Sequence, residues 1–123
     1  MQVTTPHDET GGCADIARHL GWIGGRWTLP VIVTLDAGPL RFNQLRRAVA
    51  GISQQMLTRT LRALERDGML TRTVHPSVPP QVEYALTDLG RSLAEQGMQL
   101  GAWVRANQPL IDAQRRQFDD QHR

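Results

Sequence analysis

Lysine is absent from this chain of 123 residues, and cysteine occurs once, at Cys13. A single cysteine excludes a disulfide within the chain, and its six-residue distance from His7 and from His19 does not match metal-ligand spacing. No run of about 18 apolar residues is present, so no transmembrane helix is expected. The polar N-terminus also lacks the basic start and apolar stretch of a secretory signal. These absences predict a cytoplasmic protein with no metal, no cofactor and no membrane contact.

The positive charge is concentrated in the middle of the chain. Seven of the fourteen basic residues, all arginine, lie between residues 41 and 72, where the only acids are Glu65 and Asp67. This segment carries a net charge of +5, whereas the rest of the chain carries −3. A basic segment between acidic ends is typical of a localised polyanion site, although a solvated helical face has the same composition. Arginine also forms bidentate contacts to phosphate and guanine.

The spacing of apolar residues predicts four helices, a β-hairpin and a last helix. In chain order we expect helices at 14–23, 27–35, 42–49 and 53–67, strands at 70–75 and 82–87, and a helix at 88–106. Pro30 either delays the start of the second helix to Thr28 or bends it, and Asn107 and Pro109 stop or kink the last helix. The predicted organisation is a flexible tail at 1–12, one domain at 13–107 and a C-terminal extension at 108–123.

A short helix, a tight turn at 50–52, a longer helix and a hairpin form the winged helix-turn-helix plan. The expected fold is therefore mainly α with a small β-hairpin. On the longer helix Leu57, Leu61 and Leu64 share one face, which predicts contact with the core. The opposite face has no apolar residue and carries Gln55, Arg59, Arg62 and Arg66.

The polar face of this helix has the side chains that read base edges, because glutamine and arginine bind adenine and guanine bidentately. Its N-terminal half is expected to enter the major groove of double-stranded DNA, and Ser53 is expected to cap it. The predicted base-reading residues are Gln54, Gln55, Thr58, Arg59 and Arg62. The residues predicted to contact the DNA backbone, or the DNA beside the wing, are Arg41, Arg46, Arg47, Ser53, Arg66, Arg72, His75 and Gln81.

Five segments of the sequence, read together, resemble the HxlR-type family of bacterial transcription regulators. They are GGRWTL at 24–29, GPLRFNQL at 38–45, GISQQML at 51–57, LRALERDG at 61–68 and VPPQVEYALTDLG at 78–90. The resemblance extends over residues 13–103. It implies a winged-helix fold, a homodimer, and repression or activation at a near-palindromic operator.

The chain departs from the family pattern at three positions. Ala14 follows Cys13 where many relatives have proline, Arg26 stands where lysine is common, and Gln81 stands where a basic residue is usual. Several members of the family use the cysteine corresponding to Cys13 to sense oxidants or electrophiles. Cys13 is expected just before the first helix, where backbone N–H dipoles favour a thiolate while the nearby Asp15 opposes it. It is a candidate redox sensor, and a small buried apolar residue is the alternative.

The last helix gives an independent reason to expect a homodimer. Its leucines and tryptophan repeat at heptad-like spacing, and two glycines within the stripe permit close approach of another helix. Packing inside one subunit is the alternative. The predicted dimerisation residues, on the first and last helices, are Ile16, Leu20, Leu93, Gly97, Leu100, Gly101 and Trp103.

The sequence also bears on three functions other than DNA binding alone: catalysis, binding of a small-molecule effector and binding of another protein. Catalysis is not expected, because no Ser-His-Asp arrangement is suggested and the Gly-Gly pairs at 11–12 and 24–25 lack the context of a phosphate-binding loop. A small-molecule effector between the core and the dimer helices is left open, with Trp22, Trp27 and Trp103 as candidate lining residues. A protein-binding winged helix is disfavoured, since such a face usually presents apolar anchors.

Overall fold

The computed structural model describes residues 12–23 and 25–123. In chain order, its elements are α1 (Gly12–Ile23), α2 (Thr28–Leu35), β1 (Leu40–Arg41), α3 (Phe42–Ala48), α4 (Gln54–Arg66), β2 (Leu70–His75), β3 (Gln81–Leu86) and α5 (Asp88–Gln121). The predicted winged helix-turn-helix is confirmed. Within these residues, no helix combines the length and apolar character that crossing a membrane requires.

The core is built around α2. This helix begins at Thr28, which was one of the two starts expected from the position of Pro30. Pro30 lies in the first turn, where its missing N–H removes no intrahelical hydrogen bond. The side chains of Val31 and Ile32 are fully buried. The other buried apolar residues come from the end of α2, from the later helices with the turn before α4, and from strands β2 and β3: Leu35, Leu45, Val49, Ile52, Leu57, Leu61, Leu64, Leu70, Leu86 and Ala94.

The β-sheet has three antiparallel strands in the order β1-β3-β2, rather than the two strands expected from sequence. The pairs Leu70–Leu86 and Arg72–Tyr84 lie on one face of the sheet, and the pair His75–Gln81 lies on the other. Leu70 and Leu86 are buried, so the first face covers the core. The third strand was missed because β1 is only two residues long, too short for apolar alternation to be detected.

Two glycines and a serine set the limits of α4. Gly51 adopts φ +88° in the turn after α3, a conformation that favours glycine. Ser53 caps α4 as predicted, since its side chain accepts a hydrogen bond from the Met56 amide at 3.0 Å. Gly68, at φ +76°, ends the helix, and the Met69 amide donates to the Leu64 carbonyl at 2.9 Å. The first and last residues of α4 therefore follow from local signals.

The last helix differs from its prediction in length. It continues through Pro109 to Gln121, so the expected end near residue 106 was wrong. A proline costs a helix one hydrogen bond, and the residues from 110 onward are mostly good helix formers that offset this cost. The predicted boundary between the domain and the C-terminal extension, at residue 107, lies inside α5. The division into a domain and an extension stays a prediction.

The first helix makes no extensive contact with any other described element. It begins at Gly12 and includes Cys13 in its first turn, so the expectations that residue 12 belongs to a tail and that Cys13 precedes the helix were wrong. The predicted tail at 1–11 lies outside the described residues. The side chains of Ile16 and Leu20 are 54% and 57% exposed, so α1 presents an apolar face that the rest of the protomer leaves uncovered.

Candidate nucleic-acid interface

The two faces of α4 lie as the sequence predicts. Leu57, Leu61 and Leu64 are buried against the core, with at most 2% of each exposed. On the opposite face Gln55, Arg59 and Arg62 are exposed. Gln54 is also exposed, and Thr58 is half-buried, with its hydroxyl donating to the Gln54 carbonyl at 2.9 Å. The face that points away from the core is therefore polar and accessible along its N-terminal half.

The arginines near this face are not neutralised by carboxylates of the described chain. Within residues 12–23 and 25–123 the ion pairs are Arg18–Asp15, His75–Glu83 and Arg123–Asp120. None of the seven arginines between residues 41 and 72 takes part in them. Their charge is available to an anion, and a guanidinium group matches the geometry of both phosphate and guanine.

A groove of about 580 Å³ separates α4 from the sheet. Arg62 lies on the helix wall, and Arg72 lies on the strand wall opposite Tyr84 in the β2–β3 register. The apolar side chains Phe42 and Leu61 contribute to its lining, together with Gln54, Thr58 and Glu65. Sequence reasoning found the two arginines but missed Phe42, Glu65 and Tyr84, because a groove between elements distant in sequence gives no local signal.

The predicted backbone-contacting residues are all exposed. Arg46 and Arg47 lie in the last turn of α3, and Arg66 lies in the last turn of α4. Ser53 is exposed although its hydroxyl caps the helix. Their contact with a DNA backbone stays a prediction.

The predicted wing residues are engaged in contacts that the sequence did not reveal. The Arg41 guanidinium donates from Nη1 to Gln81 Oε1 at 3.0 Å, a contact between residues forty positions apart. His75 Nε2 lies 3.3 Å from Glu83 Oε1. Arg72 lies on the inner face of the sheet and faces the groove. Of these four predicted DNA contacts, only Arg72 keeps its side chain without a partner in the described chain.

The residues predicted to form a dimer interface divide into two groups. Leu93 packs partly against the core, and a Cβ added at Gly97 would lie 2.9 Å from Val33 Cγ2, so both residues face the same chain. Gly97 permits the close approach of α2 and α5, the alternative considered from sequence. The second group is not packed against its own chain. Leu100 and Trp103 are 52% and 58% exposed, Gly101 faces open space, and Ile16 and Leu20 on α1 are also more than half exposed.

Two further predictions concern regulation. Cys13 is exposed in the protomer, and its role as a sensor stays a prediction. For an effector, Trp27 packs against the core while Trp103 is exposed on α5, and the side chain of Trp22 lies outside the described residues. A small-molecule effector also stays a prediction.

A sequence profile described as HxlR-like helix-turn-helix matches residues 22–112. The chain belongs to the HxlR-like helix-turn-helix family. The resemblance inferred from the five sequence segments is therefore confirmed, and the HxlR-like assignment covers both α4 and the wing.

Relatives of this HxlR-like protein are transcription regulators. It is 43% identical over 93 residues to YtfH of Escherichia coli, an uncharacterised HTH-type transcriptional regulator, with 76% of this chain and 74% of YtfH covered. The structure of a YtfH regulator from Salmonella typhimurium is similar with a TM-score of 0.75 and 41% identity, covering 81% of this chain and 89% of that one. The chain is thus a DNA-binding regulator of the HTH type and not an enzyme, as predicted.

A redox regulator is also among the similar structures. HypR in its reduced form superposes with a TM-score of 0.74 at 38% identity, over 80% of this chain and 98% of the HypR chain. HypR has been solved in an oxidised form as well, to which this chain is 41% identical. Redox regulation is a property of HypR.

Proposed function

We propose that this protein regulates transcription as a homodimer that inserts α4 into the major groove of a near-palindromic operator. The observation that carries the proposal is the outward face of α4, where Gln55, Arg59 and Arg62 are exposed and the arginines have no carboxylate partner in the described chain. A guanidinium or amide without a partner on a rigid helix is suited to bidentate contacts with base edges. Bound in this way, the dimer represses or activates a neighbouring gene.

The exposed apolar side chains of α1 and α5 support the homodimer. Ile16 and Leu20 on α1, with Leu100 and Trp103 on α5, are each more than half exposed in the protomer. Large apolar side chains exposed on two helices are typical of a protein–protein interface, and joining two copies would cover them. A two-fold dimer would set two α4 helices about 34 Å apart, one turn of DNA.

Equilibrium binding to a duplex of random sequence, measured at increasing salt, tests the proposal. We expect log affinity to fall linearly with log salt and two protomers to bind per site. Arg46→Ala should reduce the salt slope by about two per bound dimer, because it removes one phosphate contact from each protomer. Arg116→Ala on α5 is the matched control and should leave the slope unchanged. Binding that does not respond to salt, or a monomer bound to DNA, would contradict the proposal.

Oxidant sensing by Cys13 is a second candidate function. It is supported by the exposure of Cys13 in the first turn of α1 and by the similarity to HypR. In a dimer, diamide would accept two electrons and two protons from the two Cys13 thiols, become the hydrazine and leave a disulfide between the subunits. We expect diamide to change duplex affinity for the wild type and not for Cys13→Ser. Equal affinities throughout would reject sensing by this residue.

A further inference from the structure

Arg41 and Gln81 form a contact that the sheet register alone does not require. In the β1–β3 ladder the cross-strand partner of Arg41 is Glu83, whose carboxylate is the partner that a guanidinium would be expected to choose. Instead, Arg41 Nη1 donates to the neutral amide oxygen of Gln81 at 3.0 Å. The Glu83 carboxylate lies 3.3 Å from His75 Nε2.

A neutral partner leaves the charge of Arg41 uncompensated. No carboxylate of the described chain lies within ion-pair distance of its guanidinium, as the three ion pairs of residues 12–23 and 25–123 are formed elsewhere. A guanidinium has five N–H donors, so those not used by Gln81 remain available to another acceptor. Arg41 is held in place without being neutralised.

The held arginine lies on the wall of a groove between α3 and the start of β3. This groove has a volume of about 470 Å³ and is lined by Arg41, Arg47, Asn43 and Gln44, with Pro80 and Gln81 on the strand side. From residue 73 to residue 90 the chain has no arginine or lysine, and Arg72 lies on the inner face of the sheet in a different groove. The arginines that line this groove therefore come from β1 and α3.

We propose that Gln81 is a positioning residue for the DNA backbone: its amide keeps Arg41 away from Glu83 and fixed in the groove, where the guanidinium and Arg47 bind one phosphate group. An alanine at position 81 would release Arg41 to its cross-strand partner Glu83. A glutamate would neutralise Arg41 directly. Gln81 thus provides through Arg41 the basic contact that its own side chain lacks; the inference rests on the proposed function.

A double-mutant cycle on a duplex of random sequence tests this inference, because a phosphate contact is independent of base sequence. Gln81→Ala is expected to weaken binding about three- to tenfold per protomer and to reduce the salt slope by about two per bound dimer, one phosphate contact for each protomer. Arg41→Ala should produce the same two changes. The double variant should bind no more weakly than Arg41→Ala, since Gln81 acts only through Arg41. Gln117→Ala, at an exposed position of α5, is the matched control and should bind like the wild type.

Two more variants separate positioning from a structural role in the wing. Gln81→Glu should bind more weakly than Gln81→Ala, and Glu83→Gln should restore binding to Gln81→Ala by removing the competing carboxylate. The inference is overturned if Gln81→Ala binds like the wild type, or if it weakens binding equally when Arg41 is already alanine. Either result would leave the proposed function standing, whereas a wild type that binds no duplex would overturn both.

Discussion

Arg59→Ala is expected to weaken binding to the cognate operator by about 5- to 150-fold per protomer, while affinity for random DNA changes much less. A bidentate contact to guanine is worth about 1–3 kcal/mol of discrimination, and about 1.4 kcal/mol corresponds to a factor of ten. Arg59 is exposed in the N-terminal half of α4 and lies one turn from both Gln55 and Arg62. No ion pair within the described residues would have to break before it binds.

The cognate site for this measurement is obtained by sequencing the fragments that the protein retains from its own genome. Titration of wild type and Arg59→Ala on that site and on random duplex then gives the specificity ratio for each protein. Arg116→Ala serves again as control, because it removes the same charge from α5. If Arg59→Ala lowered both affinities by the same factor, Arg59 would contact phosphate and not a base.

Gly90→Ala is expected to destabilise the protomer by about 3 kcal/mol or more, although it adds only one methyl group. Gly90 is buried in the first turn of α5, and a Cβ added there would overlap the Met69 carbonyl. The clash is with backbone, which has no rotamer by which to move aside. The backbone is also held in place, because the Thr87 amide donates to that same carbonyl at 3.0 Å.

The same junction ties α5 to the end of α4. The Thr87 hydroxyl accepts from the Gly90 amide at 3.1 Å and donates to the Gly68 carbonyl at 2.6 Å, so a shift at Gly90 would be transmitted to the turn that ends α4. Urea unfolding at fixed protomer concentration measures the change in the free energy of unfolding. Arg91→Ala, a substitution of the exposed residue next to Gly90, is the control. A free energy of unfolding for Gly90→Ala within about 0.5 kcal/mol of the wild type would contradict this packing.

Sequence reasoning succeeded where a signal is local. The limits of α4 follow from the Ser53 cap and from Gly68, and its two faces follow from the spacing of three leucines. These features lie within fifteen residues of each other, so pattern and propensity determine them together. The same features placed Gln55 and Arg59 at the candidate interface.

Contacts between distant residues could not be read from the sequence. The Arg41–Gln81 hydrogen bond depends on β1, whose two residues carry no periodic pattern. Gly97 signalled a close approach of helices, but only the fold reveals that the neighbour is Val33 of the same chain. Pro109 indicated a helix end, and the helix formers beyond it outweighed that local signal.

The most direct test of the DNA-binding face is to follow backbone amide chemical shifts while a duplex is added to the protein. The proposed function predicts that the largest chemical-shift changes occur at residues 53–62 and in the wing at 72–81, while the shifts of α5 beyond residue 110 do not change. Changes concentrated on α5, with the chemical shifts of α4 unchanged, would contradict it.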